Sequence, residues 1–236
     1  AFLTKDKISQ TSETEYAAQN QKIRNDVTKI INDVAPQALL YSSSGMIYSQ
    51  SDKYGVMKLE DEKYFSDLAK KQNFEIIIPR IFNIAGPYIN KLNLYALSDF
   101  IIQILENNTI KINAPFEVIR SYIHINDLLN ICLSWIFDKN KKAKEIIFDT
   151  ANEDEVELEQ LAKLVVDLIG NSTSAINRNP LDKNREKNRY VGNNKIQNSL
   201  CATYSIALRN HREIIFDTYE YIKSIQKFDE KRYDFW

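Results

Sequence analysis

Glycine is what this sequence most lacks. Five occur in 236 residues: Gly45, Gly55, Gly86, Gly170 and Gly192. None is spaced to build G-x-G-x-x-G or G-x-x-G-x-x-G, the turn that brings backbone against a pyrophosphate at a helix N-terminus. Cysteine is scarcer. Cys132 and Cys201 lack C-x-x-C spacing, so neither a disulfide framework nor a cysteine zinc site is expected. The two histidines are His124 and His211; no His/Asp/Glu cluster has ligand spacing, and no metal is expected. A surplus of either charge is missing too, with 31 Lys and Arg against 32 Asp and Glu. That balance lacks the basic excess that phosphate neutralisation needs, which argues against nucleic acid as a partner. The short Lys139–Lys142 cluster reads as solvated loop. No apolar run approaches the length of a membrane span, and the first residues carry no signal-peptide pattern. The expectation is a cytoplasmic protein without a membrane partner.

What is present is an ordinary core-forming composition, 44% hydrophobic and 27% charged. Ser12 and Glu15 have capping-box spacing, and Ile23, Val27, Ile30, Ile31 and Val34 recur at helical spacing until Pro36. Leu39–Tyr41 reads as a short buried strand, Tyr54 to Lys71 as a helix, and Phe74–Ile78 as an apolar strand covered on both faces. Strand, helix, strand in this order predicts a βαβ crossover and a doubly wound sheet. Beyond Gly86-Pro87, helices are predicted over 95–105, 126–137 and from Val156 to Leu168, with Gly170 as the last one's stop. Strands are predicted over 109–112, 117–119 and 144–148. Residues 171–194 read as polar and irregular, and helical character returns from Arg212 to Lys227.

The chemistry-bearing stretch is Ser42-Ser43-Ser44-Gly45-Met46-Ile47-Tyr48, followed by Tyr54-x-x-x-Lys58. Residues i and i+4 share a helix face, so the Lys58 ammonium can stand near the Tyr54 phenol. A neighbouring cation stabilises phenolate and lowers a tyrosine pKa, which suits acid/base work. A serine at the preceding strand end can hold the hydroxyl or carbonyl that exchanges a proton with that tyrosine. The bland alternative is a solvated helix face, because Y-x-x-x-K alone is common.

Two further blocks extend the pattern: Pro79-Arg80-Ile81-Phe82-Asn83-Ile84-Ala85-Gly86-Pro87 and Arg120-Ser121-Tyr122-Ile123-His124-Ile125-Asn126-Asp127-Leu128. With them the chain resembles the extended short-chain dehydrogenase/reductase family, in its nucleotide-sugar epimerase/dehydratase/reductase branch. The resemblance implies an α/β fold. Residues 1–90 would form the C-terminal half of a Rossmann-like, doubly wound parallel-sheet domain. Residues 91–236 would form mainly a smaller α/β substrate-binding lobe, interleaved with the last strands of the sheet.

The resemblance also implies NAD or NADP as cofactor and a nucleotide-diphosphate sugar as substrate. Tyr54 would be the general acid/base. Lys58 would lower its pKa and hold the nicotinamide ribose, and Ser44 would hydrogen-bond the reacting oxygen. Asn20 and Ser42 would lie along the cofactor, with Phe82 beside the nicotinamide. Asn83 and Arg120 would contact the diphosphate, and Arg189 (or Arg185) would add a phosphate or sugar contact. His124 is read as structural. A homodimer through helices 13–34 and 54–71 is implied as well.

The chain departs from the family in three ways. Its glycine-rich first half belongs upstream of Ala1, which falls just after the family's fourth strand. The ten-residue step from Ser44 to Tyr54 is much shorter than the family's loop. Both lead us to expect a longer polypeptide than this sequence, the rival being a truncated product. Finally, the family's dehydratases carry Asp-Glu after the active-site threonine, where Gly45 and Met46 stand here. Neither can act as acid or base, which leaves 4-epimerisation or 4-keto reduction. A non-catalytic binding or regulatory protein on the same fold, or a truncated interaction module, is the alternative.

Overall fold

The computed structural model describes residues 12–49, 51–90 and 92–226; the expectations about Ala1 and about a helix end at Lys227 lie outside the described residues. The chain opens with α1 (Glu13–Val34), β1 (Ala38–Leu40), β2 (Ser43–Ser44), α2 (Lys53–Gln72) and β3 (Glu75–Ile81). Next come β4 (Ile84–Ala85), α3 (Ala96–Asn107), β5 (Thr109–Ile112), β6 (Val118–Arg120), β7 (Ile123–His124) and α4 (Ile125–Phe137). The rest is β8 (Glu145–Asp149), β9 (Val156–Glu157), α5 (Leu158–Ile169), β10 (Ala175–Arg178), β11 (Asn188–Tyr190), α6 (Lys195–Tyr204) and α7 (His211–Gln226). These elements divide into two compact units. One holds the residues up to Arg80 together with Asp138–Ile147; the other holds Ile81–Phe137 and the residues from Phe148 onward.

In the first unit, α1 starts where Ser12 Oγ accepts the Glu15 N–H at 3.2 Å. It stops before Pro36, with Ala35 turned to a left-handed φ of 46°. The Asp52 carboxylate caps α2 by accepting the Gly55 N–H. Lys70 and Lys71 sit in its last turn, at the negative end of the helix dipole. β1 and β3 run parallel with Leu39 opposite Ile76, and α2 joins them in sequence, which is the predicted βαβ unit. β3 is central, in the order β1-β3-β2, and β8 also pairs with it. Its buried run Ile76–Pro79 matches the unbroken hydropathy of the sequence. Ile31, Tyr41, Phe65, Phe74, Ile76 and Ile78 form the core of this unit.

The core of the second unit is built from Phe100 and Ile101 of α3, Ile110 of β5, Leu161 and Val165 of α5, and Ile214 and Ile222 of α7. β10 runs parallel to β5, and β11 parallel to β6. β9 is antiparallel on the other side of β6, and β4 pairs in parallel with β7.

The stretch 171–194, expected to be irregular, thus carries two strands. β10 is Ala-Ile-Asn-Arg, with Ile176 its one large apolar side chain, and β11 is Asn-Arg-Tyr. Register against β5 and β6 holds them, not their own hydropathy. α6 was missed for a related reason, since its buried residues are only Gln197, Leu200 and Cys201. Gly170 does end α5, but at φ −76°, outside the left-handed region. It is needed for space instead: a Cβ there would lie 2.6 Å from the Val166 carbonyl oxygen and 2.7 Å from Ser174 Oγ.

Candidate functional site

The first unit gathers the serine stretch, Tyr54 and Lys58. Ser42 is exposed after β1, while Ser43 and Ser44 are buried on β2. Ser44 Oγ accepts the Met46 N–H at 3.2 Å and so caps a single 3₁₀ turn, Gly45–Tyr48. Ser43 Oγ donates to Glu62 Oε1 at 2.5 Å. Arg80, at the end of β3, grips the same carboxylate through Nε (3.0 Å) and Nη2 (2.8 Å), and its Nη1 donates to the Tyr48 hydroxyl. This fork is the bidentate geometry that guanidinium and carboxylate favour. It ties the strand end carrying Ser44 to the helix carrying Lys58.

Tyr54 and Lys58 stand one turn apart at the start of α2. Lys58 is 5% exposed. Its Nζ donates to the Ser42 carbonyl at 2.9 Å. It also lies 4.9 Å from the Tyr41 ring centroid and 5.8 Å from that of Tyr54. Burial lowers its pKa from 10.5 to about 8, against the opposing pull of Asp61 and Glu62. Asn20 is buried in α1, where its side chain donates to the Tyr16 carbonyl.

The second unit gathers Phe82, Asn83 and Arg120 around a residue the sequence reading passed over, Tyr190. The Phe82 and Tyr190 rings are 4.7 Å apart, and Asn83 Nδ2 donates to the carbonyls of Ser121 (3.0 Å) and Tyr190 (3.3 Å). Arg120 Nη1 donates to the Ile119 carbonyl and to both the carbonyl and Oδ1 of Asn188; its guanidinium lies 5.9 Å from the Tyr190 ring centroid. Gly192 lets the chain pass this close, since a Cβ there would lie 2.9 Å from Phe82 Cδ2 and 2.8 Å from the Thr150 carbonyl oxygen.

Arg189 is not brought to that cluster. Successive strand residues face opposite ways, and on β11 Tyr190 pairs with Arg120 while Arg189 pairs with Ile119 and reaches out to Glu155. The Arg185 guanidinium lies 4.7 Å from the Phe116 ring centroid. The only sequence signal for Tyr190 was a single aromatic in a polar stretch.

His124 is 1% exposed. Its Nδ1 accepts the Asn126 N–H at 3.1 Å. Its Nε2 lies 3.3 Å from Asp217 Oδ2 without hydrogen-bond alignment. Gly86, at φ +109°, lies against the ring: a Cβ there would be 2.6 Å from Nε2. Burial, and then Arg209, lowers the histidine pKa. Among the described residues no group of three or more His, Cys, Asp or Glu side chains could hold a metal. Among them, too, no helix is long and apolar enough to cross a membrane.

Residues 1–149 match the NAD dependent epimerase/dehydratase family. A UDP-glucose 4-epimerase of Mycoplasma genitalium is 25% identical over 160 residues, which cover 54% of this chain and 46% of that protein. The chain thus spans about half the length of the curated relative it matches. Among solved structures, it resembles the UDP-N-acetylglucosamine 4-epimerase of Methanobrevibacter ruminantium M1 in complex with UDP-N-acetylmuramic acid. There the TM-score is 0.72 at 14% identity, covering 91% of this chain and 72% of that one. The UDP-glucuronic acid 4-epimerase of Bacillus cereus in complex with NAD gives 0.67 at 15% identity, over 89% of this chain and 67% of that one. At such identities the likeness speaks for the fold.

Proposed function

This chain belongs to the NAD dependent epimerase/dehydratase family, and from that premise we propose that it acts on a nucleotide-diphosphate sugar with NAD or NADP. The observation that carries the reading is the buried Lys58, one helical turn from Tyr54 and hydrogen-bonded to the strand end before Ser44. A buried ammonium, a phenol and the serine hydroxyls make a donor set suited to a ligand rich in hydroxyls, such as the nicotinamide end of the cofactor. When bound, the cofactor takes up and returns hydride.

The chain's own residues manage the proton. Tyr54 exchanges it with a sugar hydroxyl, and the Lys58 ammonium favours the phenolate and holds ribose hydroxyls. Ser44 Oγ, which accepts from Met46, donates its own proton to the reacting oxygen. Ser42 and Asn20 border the cofactor, and Phe82 lies beside the nicotinamide. Asn83 and Arg120 bind the diphosphate; Arg189 can join them only by leaving Glu155. In this assignment residues 1–90 are the C-terminal half of the nucleotide-binding domain and residues 91–236 are mainly the substrate lobe, interleaved with the last strands of the sheet.

Gly45 and Met46 follow Ser44 inside the 3₁₀ turn and offer no acid or base. We therefore assign 4-epimerisation or 4-keto reduction in preference to dehydration. A cytoplasmic homodimer through α1 and α2 belongs to the same proposal, supported by exposed Ile30 and Val34 on α1 and Val56 on α2. The test is a fluorescence titration with NAD(H) and NADP(H), followed by a nucleotide-sugar panel on wild type and Tyr54→Phe. Binding with turnover that Tyr54→Phe abolishes supports the reading. Absence of binding by either dinucleotide sinks it.

A further inference from the structure

Three polar residues of the first unit have no part in that chemistry: the buried Tyr41 and Asp61, and the half-buried Arg24. Asp61 is 1% exposed and follows Lys58 on α2 by three residues. Its Oδ1 accepts Arg24 Nε from α1 at 2.5 Å, and its Oδ2 accepts the Tyr41 hydroxyl at 3.1 Å. A buried ion pair is a poor source of stability, because apolar residues of similar volume do as well or better. Its presence in this helix–sheet contact calls for another account.

The face of the Tyr41 ring supplies one. A phenol that donates to a carboxylate gains electron density, which deepens the negative face of the ring and its attraction for a cation. The cation on that ring is Lys58, 4.9 Å from the centroid. We propose that Asp61 is a positioning residue for Lys58, acting through Tyr41. The ring is one side of the ammonium's seat, and the Ser42 carbonyl is the other. The proposal deepens the functional reading and rests on its assignment of Lys58.

The titratable and charged groups around this seat are Tyr54, Asp61 and Glu62 of α2, Tyr41 after β1, Arg24 of α1 and Arg80 of β3. Burial and the Asp61 charge hold the Tyr41 pKa well above the ordinary phenol, so its hydroxyl stays a donor. Burial drags Lys58 down, while Asp61 and Glu62 push it back up.

The test follows the pH titration of the Lys58 side chain by NMR in ¹³C-lysine-labelled protein, with the signal assigned by its loss in Lys58→Gln. Tyr41→Phe and Asp61→Asn should each lower the Lys58 pKa by about one pH unit. Asp67→Asn, an exposed change on the same helix, should leave it alone. Tyr41→Phe keeps ring and volume, so it decides the matter if Asp61→Asn fails to fold. A Lys58 that titrates identically in Tyr41→Phe and wild type overturns the proposal. No cofactor is needed for this readout. A shifted Lys58 without dinucleotide binding would sink the functional reading alone, and dinucleotide binding with an unmoved Lys58 would sink this proposal alone.

Discussion

Gly55 and the Met46 carbonyl touch: a Cβ at position 55 would lie 2.0 Å from that oxygen and 2.6 Å from its carbon. The first turn of α2 therefore rests directly on the 3₁₀ turn that follows Ser44. In a helix, alanine ordinarily gains about 1 kcal/mol over glycine. Here the sign should reverse, because the obstruction is backbone on both sides. Gly55→Ala should cost about 1–3 kcal/mol of stability by urea unfolding, and a stabilised variant would refute the contact.

The Arg80–Glu62 fork should be costly to break from one side. Glu62 is buried, and with Arg80→Met its charge would keep only Ser43 and the more distant Lys58. The expected loss is about 3 kcal/mol in urea unfolding. Arg80→Met with Glu62→Met should lose less than Arg80→Met alone. A double variant worse than the single one would show that the fork itself carries the stability.

Stability should fall on acidification through the histidine range. His124 and His211 both have pKa values lowered from 6.5, in each case by burial first. The unfolded chain therefore binds protons that the folded chain refuses, and stability present above about pH 6.5 is lost as pH falls below it. Asp127, Asp217 and Arg209 surround His124, and Asp154 acts on His211. Urea midpoints between about pH 7.5 and about pH 5.5 should drop, and His124→Asn should flatten the slope. A slope identical in that variant would exonerate His124.

Dinucleotide binding should weaken in alkali. The Lys58 ammonium is present below about pH 8 and lost above it. If it holds ribose hydroxyls, the Kd for NAD(H) or NADP(H) should rise from about pH 7 to about pH 9.5. A Kd unchanged over that range would separate Lys58 from the cofactor.

What the sequence revealed was local. The Ser12 cap, the stop at Pro36, the apolar run of β3 and the four-residue step from Tyr54 to Lys58 each lie within one element, and each is found in place. What it hid was set by partners far along the chain. β11 has no hydropathy signal of its own, so Tyr190, which joins Phe82 and Asn83, was invisible. Nothing within α2 marks Asp61 and Glu62 as buried; their partners Arg24 and Arg80 come from other elements. Gly170 stands where the sequence places the stop of α5, but the need for room there comes from Ser174, beyond the helix.

β3 draws its partners from very different stages of synthesis. Leu39 lies opposite Ile76 and comes off the ribosome with it, but the carbonyl that accepts the Ile76 N–H belongs to Lys144. Between them the whole of Ile81–Phe137 must be translated, a segment of the other unit. During that interval the nascent chain holds an isoleucine-rich strand without its β8 partner, the condition that invites pairing with a neighbouring chain. Chains released before Asp138–Ile147 is complete are the ones that should aggregate.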